Sequence, residues 1–538
     1  MGMVKDSTHG SIVAKWLHKT VLVILMAFSL WWLYGALTDK VFTDVLTSLE
    51  KGSRLALLVI ITALALGTAM LLSERCRAVA MKMFRFIRSR KWFIFGLMVF
   101  CQLMIWLSFG AVSMGADQES IRIATEDPQK YSDYLSYCPN NVFIAYIYWT
   151  VRNLIPGNWP ANSATLAMQF LNIIVLDSCF IGLWGSLKRF STGLADTALL
   201  LFMFLFGFSG YTILVYTDIL SLPFSVGALA IGLTMLHETG EKTVLKGPHL
   251  KAMGLMFLLG VLIYLGYQMK ASSVIPTFCL LIVLGYRSIS LKMYRHGAIC
   301  VVACIVGMAI TVPIFSLAIH NHMKLNYNPN ESYPVSHFMV MGMQDRGGFS
   351  LEERLAVSKY PTKAEKSRYS AEQIKKRLSD YGPVGYAEFL ARKVNYTFSD
   401  GTFSFGNWDS MFNYLESNQT GVLSRYQKTI LARGIRALYT PTGIRYVNVY
   451  LFEQCFFILM VVGVISLIVR NIHEPLQGSD GNLMRFWLLF SILGAVAFLM
   501  LFESGRSKYL IQFLPVMICA ASYGLITLRD RCTRIYAE

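Results

Sequence analysis

Long apolar runs alternate with short polar stretches along this chain, and the runs exceed what a strand or the core-facing stripe of a soluble helix requires. "TVLVILMAFSLWWLYGALT" and "LALLVIITALALGTAMLL" each hold the roughly 18 to 20 residues a helix needs to cross about 30 Å of hydrocarbon. Apolar windows set against flanking Lys and Arg predict about twelve spans, near 17–37, 54–73, 92–114, 164–185, 195–216, 220–236, 252–268, 274–290, 297–318, 448–469, 483–502 and 507–527. The first run is too long for a lone cleavable signal peptide, and many more follow it. The predicted fold class is therefore an all-α polytopic membrane protein.

Two segments, 115–163 and 319–447, are too long and polar to be turns between spans. They divide the chain into N-terminal spans (1–114), a first large loop (115–163), middle spans (164–318), a late loop (319–447) and C-terminal spans (448–538). In the first loop, "DPQKYSDYLSYCPNN" spaces its aromatics as a short helix lying along the membrane interface does. The late loop mixes helical "SAEQIKKRLSDYG" with turn-rich "YNPNESYP" and "SDGTFSFGNWD". With Trp408 and many Phe and Tyr, it predicts a small folded cap rather than a disordered tail.

Composition agrees with this picture: 55% of residues are hydrophobic and 15% charged, the balance of an integral membrane protein. The net charge of +17 suggests nucleic acid until its location is considered. The positive residues lie between spans, most densely in "SERCRAVAMKMFRFIRSRK" (73–91), where anionic lipid headgroups explain them, and there is no soluble basic domain to bind nucleic acid. Placing Lys5, Lys15 and Lys19 in the cytoplasm puts every short basic loop on the same side, both termini included, and both large polar segments on the other. The ten cysteines fall mostly in spans or at cytoplasmic ends, with Cys138 alone clearly in an outer loop, so no disulfide framework is expected.

Candidate chemistry gathers on the outer side. "GADQESI" presents Asp117 and Glu119 just past the third span, where limited solvation can raise a carboxylate toward a useful general base; the plain alternative is an acid marking a helix end. Lys270 in "GYQMK", Arg506 and Lys508 in "ESGRSKY", and Arg152 in the first loop are cations on a side where Lys and Arg are depleted. Each alone is explained by snorkelling to headgroups, but as a set they suit the phosphate of a lipid.

Asp177 within the fourth span reads equally as a functional intramembrane acid and as a hydrogen bond between packed helices. Other positions read first as structural. His320, His322 and His337 are loosely spaced, with metal binding the lesser reading, and Asp400 reads as a turn former ahead of a second catalytic acid. "MGMQDRGGFS" supplies a Gly-Gly turn with Asp345 and Arg346. The sequons at Asn330, Asn395 and Asn418 are short patterns that arise by chance.

Taken in order, these features resemble the GT-C superfamily of membrane glycosyltransferases, in particular the family 39-like enzymes that use polyprenyl-phosphate sugars. The resemblance rests on an early outer acid, "DP" followed by "YLSYCPNN", the span-end "GYQMK", a late outer domain with "NYTFSDGTFSFG", and the segment from Glu503 to Pro515, similar to the family's "RY … P" signature. It departs in showing Asp117-Gln118-Glu119 where members pair acids, in Cys138 before "PNN", and in two additional leading spans. The resemblance implies a GT-C-like bundle, Asp117 or Glu119 as catalytic base, and Lys270, Arg506, Lys508 and Arg152 on the donor phosphate. It further implies an inverting transfer at the outer face of the cell membrane, from a polyprenyl-phosphate sugar donor to a cell-surface acceptor, with no nucleotide needed, no cofactor, and a divalent metal compatible but not implied. A lipid-linked sugar transporter or flippase, and an oligosaccharide ligase or polymerase, are the alternatives.

Overall fold

Apolar length decides most of the architecture. The computed structural model describes residues 6–50, 73–160, 162–238, 249–407, 413–414, 422–441, 443–473 and 480–534. Among them, ten helices are long and apolar enough to cross a membrane: Trp16–Thr47, Lys91–Phe109, Ser163–Lys188, Thr217–Leu236, Leu250–Met269, Ala271–Ser290, Tyr294–Met323, Tyr446–His473, Gly481–Leu501 and Ser507–Asp530. The protein is thus an all-α polytopic membrane protein. The expected span at 54–73, Trp408 and the sequon at Asn418 lie outside the described residues.

One expected span is not a regular helix throughout. The run at 195–216 forms a shorter apolar helix, Thr192–Gly207, whose last turn widens to π geometry over Met203–Gly207 before a tight 3-10 turn at Gly210–Ile213. Backbone freed in this way inside an apolar bundle costs several kcal/mol per bare group, so it needs partners. Buried amides of two neighbouring spans supply them. Gln102 donates to Gly207 O at 3.0 Å, Gln169 to Ile213 O at 3.1 Å, and Asn172 to Thr212 O and Leu214 O at 2.9 and 3.1 Å. Near the start of the same helix, buried Asp196 accepts from Trp184 at 2.9 Å and pairs with Lys91 at 3.1 Å. This contact anchors the end of the basic segment 73–91.

The span expected at 92–114 ends at Phe109, and the chain then pairs Val112–Ser113 antiparallel with Asn413–Tyr414, Val112 opposite Tyr414. The first loop continues as helices Ala116–Ala124, Ser132–Tyr137 and Val142–Leu154. The late segment is folded, with helices Val335–Met341, Leu351–Ser358, Lys363–Phe398 and Ile430–Tyr439. Lys363–Phe398 begins in a capping box between Thr362 and Glu365 and bends at Gly382-Pro383, where proline removes an N–H donor. Buried Lys366 on this helix donates to Glu331 O at 2.5 Å and stands over the rings of Tyr137 and Tyr333, so the two polar segments are joined.

Candidate functional site

Where the broken helix hands over to Thr217–Leu236, the sequence "YTD" puts Tyr216 and Asp218 at one end of the bundle. Asp218 is wholly buried and fully engaged: Tyr211 Oη donates to one carboxylate oxygen at 2.7 Å, and Lys270 Nζ pairs with the other. Lys270 occupies the extended residue between Leu250–Met269 and the 3-10 turn Ala271–Val274. Gln512 on the following 3-10 turn, Ser507–Phe513, donates to Ser272 Oγ at 3.0 Å and so holds the Lys508 segment beside the Lys270 segment.

Lys508 Nζ lies 5.0 Å from the Tyr216 ring and 5.5 Å from the Tyr509 ring, while Lys270 Nζ lies 5.2 Å from that same Tyr509 ring. Asp117 arrives from the first loop. Tyr216 Oη donates to its Oδ2 at 3.2 Å and Tyr134 Oη approaches its Oδ1 at 3.3 Å. Asp117, Lys270, Arg506 and Asp218 are all close enough to Lys508 to act on it electrostatically. Four of the six expected site residues, Asp117, Lys270, Arg506 and Lys508, are therefore assembled at one place.

The other two stand apart. Glu119 is held by Arg122 through contacts of 2.6 and 3.0 Å, and this bond keeps its carboxyl below the usual range. Arg152 lies 3.5 Å from Glu126, which Arg122 also contacts at 2.9 Å. Together they form an ion-pair network on the first loop.

Glu503, Tyr509, Tyr216, Tyr134 and Asp218 were not singled out from sequence. Burial pushes the Glu503 carboxyl up, against the opposing pull of Tyr509, which donates to it at 2.9 Å, and of Lys508 and Arg506. Burial likewise pushes the Tyr134 and Tyr216 phenols far above their usual range, with Asp117 adding to both, so these hydroxyls keep their protons as donors. Asp400 is a turn former: it accepts from Thr402 N, Thr402 Oγ1 and Ser404 N at 2.7 to 2.8 Å, and from Ser507 Oγ at 3.0 Å, one residue from Lys508. Asp177 lies beside Gln102 within its span. His322 contacts Tyr146 at 3.0 Å, and His337 stacks on Tyr333.

Asp117 is exposed, and Tyr216, Lys270, Arg506, Lys508 and Tyr509 are partly so, while Asp218 beneath them is sealed. Asp117 and parts of the three cations thus meet solvent at the same end of the bundle. Separately, an apolar cavity of about 430 Å³ opens between Leu250–Met269 and Tyr294–Met323, lined by Phe257, Val261, Leu265, Ile310, Ile314 and Phe315.

Ten apolar helices, with a partly exposed charged cluster at one end of the bundle, define a polytopic integral membrane protein. The chain belongs to a family described as conserved hypothetical integral membrane protein, whose family model matches residues 12–527. No curated protein and no solved structure matches it.

Proposed function

We propose that this protein is a membrane glycosyltransferase that moves a sugar from a polyprenyl-phosphate donor to an acceptor hydroxyl at the outer face of the cell membrane, inverting the anomeric carbon. The observation that carries the reading is the meeting at Tyr216 of Asp117, which accepts from its hydroxyl, and Lys508, which stands over its ring, with Lys270 sharing the Tyr509 ring. Asp117 takes the proton from the acceptor hydroxyl as its oxygen bonds to the anomeric carbon. The bond from that carbon to the phosphate oxygen breaks, and its electron pair stays on the phosphate. Lys270, Arg506 and Lys508 stabilise the second negative charge that the phosphate gains.

The clustering of Lys270, Arg506 and Lys508 supports this assignment, because cationic side chains gathered at one place suit the negative charge of a phosphodiester. The apolar cavity supports it too: Leu265 lies five residues before Lys270, about 7 Å along a helix axis, so an isoprenoid chain seated there reaches the cations with its phosphate.

Transfer of radiolabelled sugar from a panel of polyprenyl-phosphate sugars, by the purified chain in proteoliposomes, tests the proposal. Asp117→Asn is expected to lower transfer by roughly 10² to 10⁴, and Glu119→Gln by less than about threefold. Undiminished transfer by Asp117→Asn removes the assigned base. Movement of intact lipid-linked sugar across the bilayer without bond cleavage replaces the enzyme by a transporter.

A further inference from the structure

Lys393 is among the largest wholly buried side chains, although lysine is almost never fully buried without a partner. It lies five residues before the end of helix Lys363–Phe398, and its ammonium donates to three backbone carbonyls: Gly342 and Phe502 at 2.7 Å and Met500 at 3.0 Å. An ammonium carries three N–H donors, so each is matched to one acceptor. Met500 and Phe502 close the C-terminal end of helix Asp480–Leu501, where the last carbonyls have no partner within the helix. Gly342 brings in the segment "MGMQDRGGFS" (341–350).

Backbone contacts run along the same seam. Ser504 N–H donates to Gly347 O at 2.7 Å, and Gly505 N–H to Thr397 Oγ1 at 3.1 Å. A Cβ on Gly342 would stand 2.6 Å from the Phe502 backbone. One on Gly505, which turns with φ +65°, would stand 2.3 Å from Arg346 O. The late segment thus grips residues 502–505 through main-chain groups, with one buried cation at the junction. The next residues of the turn are Arg506 and Lys508.

We infer that Lys393 is a positioning residue: by clamping the carbonyls of Gly342, Met500 and Phe502, it sets the turn that offers Arg506 and Lys508 to the donor phosphate. The ligand named here rests on the glycosyltransferase reading; the clamp does not. Lys393→Met keeps the length of the side chain and removes all three donors, leaving three buried carbonyls unmet.

Two measurements on the full chain separate the clamp from its ligand. Amide hydrogen exchange over 502–508 is expected to quicken by about tenfold or more in Lys393→Met, while exchange in Tyr446–His473 stays within about twofold of wild type. Donor KM is expected to rise by roughly tenfold, with kcat within about threefold. Wild-type exchange over 502–508 in a folded Lys393→Met protein overturns the clamp. A faster turn with an unchanged donor KM overturns the positioning role and leaves the enzyme reading intact. A faster turn in a protein whose wild type transfers no sugar overturns the enzyme reading and leaves the clamp. If Lys393→Met does not fold, Gly342→Ala, which wedges the same junction, is subject to the same two measurements and the same outcomes.

Discussion

The side-chain amide of Gln118 donates to the main-chain carbonyl of Val215 at 2.6 Å, and its oxygen accepts from Met114 N–H at 2.7 Å. Asp117 and Tyr216 are the chain neighbours of that bonded pair, so one bond between the first loop and the broken helix brings the candidate base to the phenol that bridges it to Lys508.

Gln118→Ala is expected to destabilise the protein by about 1–3 kcal/mol, the cost of a carbonyl and an N–H left unmet. Transfer should fall by more than that loss of folded protein explains, because Asp117 loses its registration against Tyr216. Specific activity per folded molecule, with folding followed by thermal denaturation, decides. An unchanged value disproves the link.

Sealed Asp218 pairs with Lys270, which is itself partly exposed. Asp218→Asn leaves the Lys270 ammonium without its counter-charge and is expected to cost up to about 3 kcal/mol. The double variant Asp218→Leu with Lys270→Met is expected to regain most of that stability while remaining inactive. A double variant no more stable than Asp218→Asn contradicts the pairing.

His337 offers a test of pH dependence in the late segment. Burial first, then Lys366 and Arg354, holds its imidazole down to about 4 from the ordinary 6.5. The unfolded chain therefore takes up a proton before the folded one as pH falls. Stability is complete above pH 6.5 and is lost progressively toward pH 4, by about 3 kcal/mol in total. His337→Phe should flatten this part of the pH–stability curve, as followed by thermal melts; a slope identical to wild type would exclude His337 as its source.

The apolar cavity is tested by filling it. Ile314→Trp adds bulk to its wall at a position that faces outward from the bundle, so stability should change by less than about 1 kcal/mol. Use of a long polyprenyl donor is expected to drop by about tenfold, and use of a short water-soluble analogue by less than about twofold. Equal losses with both donors would mean that the cavity does not hold the chain.

Helix content and most span positions were legible because twenty apolar residues in a row have few other uses. The cations Lys270, Arg506 and Lys508 were legible for a related reason, as charges retained at span ends on the side where they are scarce. Asp117 and Glu119 could not be ranked from sequence. They sit two residues apart on one short helix, and only Arg122, three positions beyond Glu119, draws Glu119 away. Asp218 was hidden by the irregular course of the segment before it. Taking 195–216 as a regular helix left Asp218 in a three-residue link, whereas an acid between two apolar runs, two residues after Tyr216, was the available signal. The amides Gln102, Gln169 and Asn172 carried a signal of the same kind: polar groups inside spans announce a neighbour whose backbone is not helical.

Those amides also constrain how the molecule is made. The carbonyls of Gly207, Thr212, Ile213 and Leu214 accept from side chains on Ser163–Lys188 and Lys91–Phe109, both synthesised earlier. On leaving the insertion machinery alone, the irregular stretch would meet lipid with bare acceptors, or wind into a regular helix that carries Tyr216 and Asp218 away from the site. Biogenesis must therefore keep the earlier helices docked or sheltered until this segment arrives, and a lesion in any of the three amides should appear first as misinsertion and degradation of the nascent chain.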